Sequence, residues 1–314
     1  MSEFGFIEGI KKLFSSLPER GFEGIGDDCA VLDIGGGESL VFTVDTLAED
    51  VHFLRASSSA YEIGAKSLAV NLSDVAAMGA EPVASLLSLS LPADACGEWA
   101  GEFMRGYHAL SEQWGVALAG GDTTSSKTGI TISITAIGRV RNEHIKRRSA
   151  AVAGDVIMVC GELGASAAGL RDILDGDTDT PFAIVHRNPV PQIEEGRWLG
   201  AHKEVHSMMD LSDGLASDLR HILKASHTGA EIETANISCA TDTATAVCGG
   251  EDYKLLFTVA AASAESLQRE FALRFGYAPS VVGRILPVSE YGEEICWLEN
   301  GVRIFPDWQG FSHF

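Results

Sequence analysis

From Ile130 to Ile137 the chain alternates without a break: Ile130, Ile132, Ile134 and Ala136 fall on one side, Thr131, Ser133 and Thr135 on the other. A period of two with one apolar side is the pattern of a strand buried on one face only. Leu87, Leu89 and Leu91 alternate with Ser88 and Ser90 in the same way. Between and around these runs the spacing turns helical: Phe6, Ile7, Ile10, Leu13 and Phe14 recur at the period of an amphipathic helix, Ala60 to Met78 has helical character, and so has about Gly97 to Trp114. Sheets of this kind need a layer of helices against their apolar face, so the chain must combine both elements in packed layers. Shorter strands are expected at Cys29 to Ile34 and Leu40 to Val44, joined by a hairpin at Gly35-Gly36-Gly37, at Val83 to Leu91, and at Val116 to Ala119.

Arg139, Arg141, Lys146, Arg147 and Arg148 form the one basic concentration, and after it the alternation starts again. Strands are expected at Val156 to Cys160, Val205 to Met209, Leu255 to Val259, Ser280 to Ile285 and Cys296 to Leu298. Helices are expected at Ala165 to Leu174, Leu215 to Ala225 and Ala264 to Phe275, and Asp175 to Asp179 reads as a polar acidic stretch. Two halves of mixed strands and crossover helices, with the basic stretch as their connection, fit an α/β (α+β) pair of related domains. The length of 314 residues suits two domains.

Charge narrows the partners. With 44 acidic and 23 basic side chains the formal net charge is −21, which argues against binding nucleic acid or an anionic membrane through a basic face. No window approaches the roughly 18 uninterrupted apolar residues of a membrane span. Charged residues interrupt Met1 to Ser16, unlike a signal peptide. The expectation is a soluble, cytoplasmic protein. Six scattered cysteines without a C-x-x-C pair indicate reduced, packed thiols rather than a zinc or redox centre.

The acids matter by placement. Asp27 and Asp28 follow Gly24-Ile25-Gly26, Asp45 is expected to end a strand, Asp74 interrupts an apolar helical stretch, and Asp122 follows Gly120-Gly121 directly after a strand. Open sheets place ligands at strand ends and glycine turns. A turn or capping role explains any one of these residues; their convergence would need cations, because carboxylates about 4 Å apart repel by about 4 kcal/mol at an effective dielectric of 20. Oxygen donors without His or Cys select Mg²⁺, Mn²⁺ or Ca²⁺, and magnesium commonly bridges carboxylates to substrate phosphates. In the second half, Asp210-Leu211-Ser212-Asp213-Gly214-Leu215 ends a strand and opens a helix. Ser212 is placed to cap that helix, and its free amides to accept a phosphate. Gly249-Gly250-Glu251-Asp252-Tyr253 is a second acidic glycine loop. P-loop, dinucleotide, zincin and α/β-hydrolase signatures are absent. His202 and His206 stand four apart without a third ligand, and Trp308, Phe311 and Phe314 are either a stacking surface or a packed end.

Taken in order, Gly24 to Ala30, Asp45-Thr46-Leu47 through His52-Phe53, Lys66 through Asp74 to Ala80, Gly120 to Thr124, Asp210 to Leu215, Gly249 to Tyr253 and Asp307 to Phe311 resemble the thiamine-monophosphate kinases of the aminoimidazole-ribonucleotide-synthetase-like ATP-binding superfamily. The resemblance implies two mixed-sheet domains with packed helices: residues 1–148, holding ATP and Mg²⁺ and forming a homodimer, and residues 149–314, completing the site. It implies ATP-dependent phosphorylation of thiamine monophosphate to thiamine diphosphate by direct transfer, with no covalent nucleophile. It assigns several Mg²⁺ ions to Asp28, Thr43, Val44, Asp45, Asp74, Asp122, Asp210 and Asp213, ATP to Gly121, Asp122, Arg148 and Ser212, and the thiamine substrate to His52, Glu251 and Phe311.

Five positions depart from the family pattern: Asp50 stands where Gly is common, Val44 for Thr, Ala150 for Gly, Gln192 for Arg and Lys254 for Glu. Val44 retains a backbone carbonyl for a metal, whereas Gln192 weakens an anion contact in its loop. Three rival readings stand beside this one, the first of which would share the acidic motifs. Sister enzymes acting on selenium, purine or carbamoyl chemistry are one; a reactive Cys near the start or the end, expected of two of them, is not seen here. A two-metal phosphohydrolase and a non-enzymatic cation-binding protein are the others.

Overall fold

The computed structural model describes residues 3–17, 19–288, 292 and 294–311. Its first half runs α1 (Glu3–Phe14), β1 (Phe22–Glu23), β2 (Ala30–Gly35), β3 (Glu38–Ala48), α2 (Ala60–Ala77), β4 (Glu81–Leu91), α3 (Glu98–Trp114), β5 (Ala117–Ser125) and β6 (Thr131–Arg141). The second runs β7 (Val156–Val159), α4 (Ala165–Leu174), α5 (Pro181–Arg187), α6 (Ile193–Gly200), β8 (Val205–Asp210), α7 (Leu215–Ser226), β9 (Thr228–Glu233), α8 (Thr243–Cys248), β10 (Leu255–Val259), α9 (Ala264–Phe275), β11 (Ser280–Pro287), β12 (Ile295–Glu299) and β13 (Val302–Ile304).

Each half makes its own mixed sheet. The first has the order β1-β2-β3-β6-β4-β5 and is antiparallel except for the parallel pair β4/β5; the second, β13-β12-β9-β11-β7-β10-β8, is antiparallel except for β9/β12. The connection between β6 and β7 joins the two sheets. The alternation in β6 is realised: Ile130, Ile132, Ile134 and Ala136 are all buried. The basic connection is occupied by internal pairs. Arg147 meets Glu23 at 2.8 Å, Arg148 meets Asp28 at 2.7 Å, and the buried Lys146 donates to the carbonyls of His202 and Val205 at 2.9 and 2.7 Å.

Helix α2 organises the molecule. It begins at a capping box in which Ser59 accepts from the Glu62 amide while Glu62 accepts from the Ser59 amide. It packs on β3 and β6 of its own half and on β8 and α6 of the other. That position explains why Leu68, Leu72, Val75 and Ala76 are fully buried on a helix with little polar face. Across it lies α3 at a very short backbone distance: a β-carbon added to Gly64 would land on the Phe103 carbonyl, and one added to Gly106 on the Tyr61 carbonyl. Gly106→Ala is therefore expected to destabilise the fold by about 1–3 kcal/mol through overpacking. Gly101→Ala, on the same helix but in open space, should be neutral or stabilising by a few tenths up to about 1 kcal/mol. Thermal melts of the two variants separate backbone crowding from helix propensity.

Several expectations need correction. Asp45 does not end a strand, because β3 continues to Ala48. Nor do Gly120 and Gly121 follow a strand: β5 runs through them to Ser125. Helices α5, α6 and α8 and strands β9 and β13 went unread because they are short and repeat their spacing only one to three times; Thr180, which caps α5 ahead of Pro181, was the legible sign. His202 and His206 share no helix: the first follows α6 and the second, on β8, pairs with Asp155 at 2.9 Å. Trp308 meets Trp297 edge to face with centroids 5.0 Å apart, and Phe314 lies outside the described residues. The six cysteines are free, and Cys29, Cys160 and Cys296 are buried.

Candidate active site

Three carboxylates meet where the two sheets adjoin. Asp28 precedes β2, Asp74 stands in the last turn of α2, and Asp210 ends β8; each brings an oxygen within 4.8 Å of the others. At that separation two full charges repel by about 3 kcal/mol at an effective dielectric of 20, and the negative end of the α2 dipole adds to the strain. Hydrogen bonds relieve part of it. Thr43 Oγ1 donates to Asp74, Ser73 Oγ to Asp210 at 2.5 Å, and the Arg148 guanidinium to Asp28 Oδ1 at 2.7 Å. Burial holds Asp74 well above the usual carboxylate range. It lifts Asp210 to about 8 with help from the Asp28 charge, and lifts Asp45 to about 6 for the same two reasons.

Two buried atoms here have no hydrogen-bond partner among the described residues: Asp28 Oδ2 and Arg148 Nε. An orphaned acceptor in a crowd of carboxylates, beside an orphaned donor on a guanidinium, is the polarity left open for a cation and an anion together. The donor set suits Mg²⁺, being all hard oxygen. Cys29 lies against the cluster, but burial and the carboxylates push its thiol well up, so it does not offer a thiolate.

Beside the cluster opens a cavity of about 710 Å³. Val44, Asp45 and Asp74 border it, as do Ser212 and Asp213 and the three residues expected to meet the thiamine substrate, His52, Glu251 and Phe311. His52 is oriented by the Ala48 amide, which donates to its Nδ1 at 3.0 Å, and the Asp45 amide donates to Asn71 Oδ1 at 3.1 Å. Three loops close on one another at the C-terminal side: Glu251 N donates to Ser212 O at 2.7 Å and Phe311 N to Asp213 O at 3.0 Å. Gly250 and Gly310 allow this approach, since a β-carbon on either would press on the Ser212 or Asp213 carbonyl. Ser212 does not cap α7. Gly214 holds that position without a side-chain bond, and the buried Asp218 accepts from the Asp213 and Gly214 amides at 3.1 and 3.0 Å. Those two amides are thus engaged within the protein.

Gly121 and Asp122 sit elsewhere. Pairing across the sheet puts Asp122 in one row with Ser88, Ser133 and Thr46. It is therefore three strand spacings, about 14 Å, from β3, on an edge strand whose nine residues are all exposed. Asp122 does not belong to the three-carboxylate cluster. Gly121 is needed for the pairing itself, because a β-carbon there would land on the Leu87 carbonyl. Of the five departures, Gln192 is a buried strut: it donates to Cys160 O and Tyr277 Oη and accepts from Leu255 N. Asp50 takes φ +65°, a conformation for which glycine is the easier residue.

Sequence reasoning missed Lys66, His186, Arg187 and Asp218. Lys66 is 3% exposed and bonds Glu251 at 3.0 Å; His186 lies 3.4 Å from the same carboxylate, and Arg187 pairs with Glu62 at 2.9 Å. A lysine in the apolar run Ala65 to Val70 was the available signal for the first. Asp218 offered none, since an acid in a first helical turn is ordinary.

The two mixed sheets and the site between them define a two-domain class. The family of AIR synthase related proteins matches through its N-terminal domain at residues 26–140 and its C-terminal domain at residues 152–295. Within that class the chain belongs to the thiamine-monophosphate kinase family. It is 36% identical to the thiamine-monophosphate kinase of Escherichia coli (strain K12), covering 93% of this chain and 91% of that protein, and 33% identical to that of Buchnera aphidicola over 100% and 99%. A solved structure described as AaThiL complexed with AMPPCP and TMP superposes with a TM-score of 0.82 at 30% identity, covering 100% of this chain and 97% of that one.

Proposed function

We propose that this chain transfers the γ-phosphoryl group of ATP directly to the phosphate of thiamine monophosphate, forming thiamine diphosphate and ADP. The observation that carries the reading is the convergence of Asp28, Asp74 and Asp210 beside a cavity bordered by His52, Glu251 and Phe311. It is supported by family membership and by the ligands of the similar AaThiL structure.

Asp28, Asp74 and Asp210 would hold Mg²⁺ with Asp45, Asp213, the Thr43 hydroxyl and the Val44 carbonyl, and Asp122 would serve a further ion. Bound there, magnesium supplies charge neutralisation for the two phosphate groups that must approach each other. The protein's own part is positional. Arg148, fixed by Asp28, the Asp27 carboxylate and Ser226, would turn its unpartnered Nε to a phosphate, and Ser212, at the cavity, would meet the same nucleotide. Phe311, half exposed at the cavity, offers a flat apolar face to the thiamine rings. Gly121 and Asp122 would meet the nucleotide.

The same assignment includes a homodimer. Leu118 on β5, Leu86 on the adjacent β4, Val44 on the more distant β3, and Phe6, Leu13 and Phe14 on α1 are all exposed, apolar area of the sort a second copy covers. The same assignment would put the enzyme in the cytoplasm, where ATP is at hand. Among the described residues no helix is long and apolar enough to cross a membrane.

Incubation with ATP, Mg²⁺ and thiamine monophosphate should yield thiamine diphosphate and ADP in equal amounts. Free phosphate without thiamine diphosphate would instead identify a hydrolase, and absence of ATP binding in a calorimetric titration with Mg²⁺ would leave only a cation-binding protein.

A further inference from the structure

Lys66 is the most deeply buried cation bordering the cavity. It projects from the first half of α2, and its Nζ meets Glu251 Oε2 at 3.0 Å and the His52 carbonyl at 3.5 Å. One ammonium therefore touches both His52, on the turn after β3, and Glu251, on the loop before β10, which belongs to the other half of the molecule. His186 of α5 approaches the same Oε2 at 3.4 Å while its Nδ1 shares a hydrogen bond with Ser166 Oγ at 2.9 Å. Both contacts on the carboxylate fall on Oε2, which leaves Oε1 for a donor brought into the cavity. Glu251 has φ +62°, so its loop is held by these contacts and by the Ser212 carbonyl rather than by backbone preference.

We propose that Lys66 is a positioning residue for the thiamine substrate: it fixes Glu251 and the His52 turn together, so that the substrate end of the cavity exists only when the two halves are docked. The inference rests on the reading of His52 and Glu251 as substrate contacts. Burial, with the Lys66 charge close by, holds the His186 imidazole neutral down to about 4, so Lys66 carries the positive charge that balances the Glu251 carboxylate at neutral pH. Removing it leaves that carboxylate without its counter-charge, free to turn toward water or to take up a proton.

The expected consequence is selective. Lys66→Met should raise KM for thiamine monophosphate by roughly tenfold to a hundredfold, with KM for ATP unchanged within about twofold and kcat much less affected, because the phosphoryl-transfer residues lie at the other end of α2. The Lys66→Met/Glu251→Gln double variant should show a KM no worse than Glu251→Gln alone, since both substitutions act through one carboxylate. Additive losses, or a loss confined to kcat or to KM for ATP, would overturn the proposal. Thermal melts without substrate read the pairing independently. Lys66→Met should melt lower than the double variant, which removes both charges; equal melting would also overturn it. Should the wild-type protein fail to phosphorylate thiamine monophosphate, the substrate reading fails, while the melts still decide whether Lys66 fixes Glu251.

Discussion

Asp74→Asn is expected to lose phosphoryl transfer by on the order of 10³-fold while the metal-free protein becomes no less stable, and more stable at neutral pH. Charge neutralisation at a transferring phosphate is worth several kcal/mol, and each 1.4 kcal/mol is a factor of ten in rate. The amide keeps the shape of the carboxylate and can still accept from Thr43, but it removes one of three carboxyl groups packed within 4.8 Å, and with it the cost of keeping that group protonated above the pH at which the unfolded chain releases its proton. Melting the variant with and without Mg²⁺ separates the two effects: wild type should gain stability on adding the ion, and Asp74→Asn should gain much less. Turnover within tenfold of wild type would refute the metal assignment.

The same crowding sets a pH dependence with a definite sign. Asp45 and Asp210 titrate near 6 and 8 in the fold against about 4 when unfolded. Through that window the folded chain keeps protons that the unfolded chain has released, so stability falls as pH rises. Metal-free protein should therefore melt lower at about pH 8 than at about pH 5 for this cluster's part, and magnesium should reduce the difference by replacing the protons.

The second large effect is expected at Arg148. Its pair with Asp28 is buried, with the Asp28 side chain 1% exposed, and breaking such a pair by deleting one partner costs about 3–5 kcal/mol because the other charge stays behind. Arg148→Met should lower the melting temperature by roughly 10 °C and raise KM for ATP. The Asp28→Asn/Arg148→Met double variant should recover most of the stability and none of the activity. A double variant as unstable as the single one would show that the arginine acts through packing of its stem rather than through charge.

Legibility in the sequence followed the length of the pattern. Helices α4 and α9 were readable to the residue, because each offers several periods of apolar spacing; β6 was legible as a strand for the same reason but runs on past Ile137 to Arg141, where charged residues break the pattern. Helices α5 and α8 offer fewer than two turns each. Strand β5 was cut short at Ala119 for another reason: Gly120 and Gly121 look like a turn, and only the close pairing with Leu87 explains glycine within a strand. At the site, an acid after a glycine turn, one inside an apolar helix and one at a strand end marked Asp28, Asp74 and Asp210 as candidates for convergence, and the structure brings the three together. Asp122 carried the same local signature, yet β5 lies three strands away from β3. Lys66 and Asp218 escaped because their partners, Glu251 and the Asp213 and Gly214 amides, become neighbours only through tertiary contact or a non-helical turn.

Helix α2 presents Lys66, Asn71, Ser73 and Asp74 to four different partners within little more than two turns. A helix is a fixed ruler: each residue inserted or removed turns everything beyond it by 100° and shifts it by 1.5 Å. Between Ser59 and Met78 this gene segment can therefore accept changes of letter but not of length, and insertions found among descendants of this sequence should fall in the connections on either side.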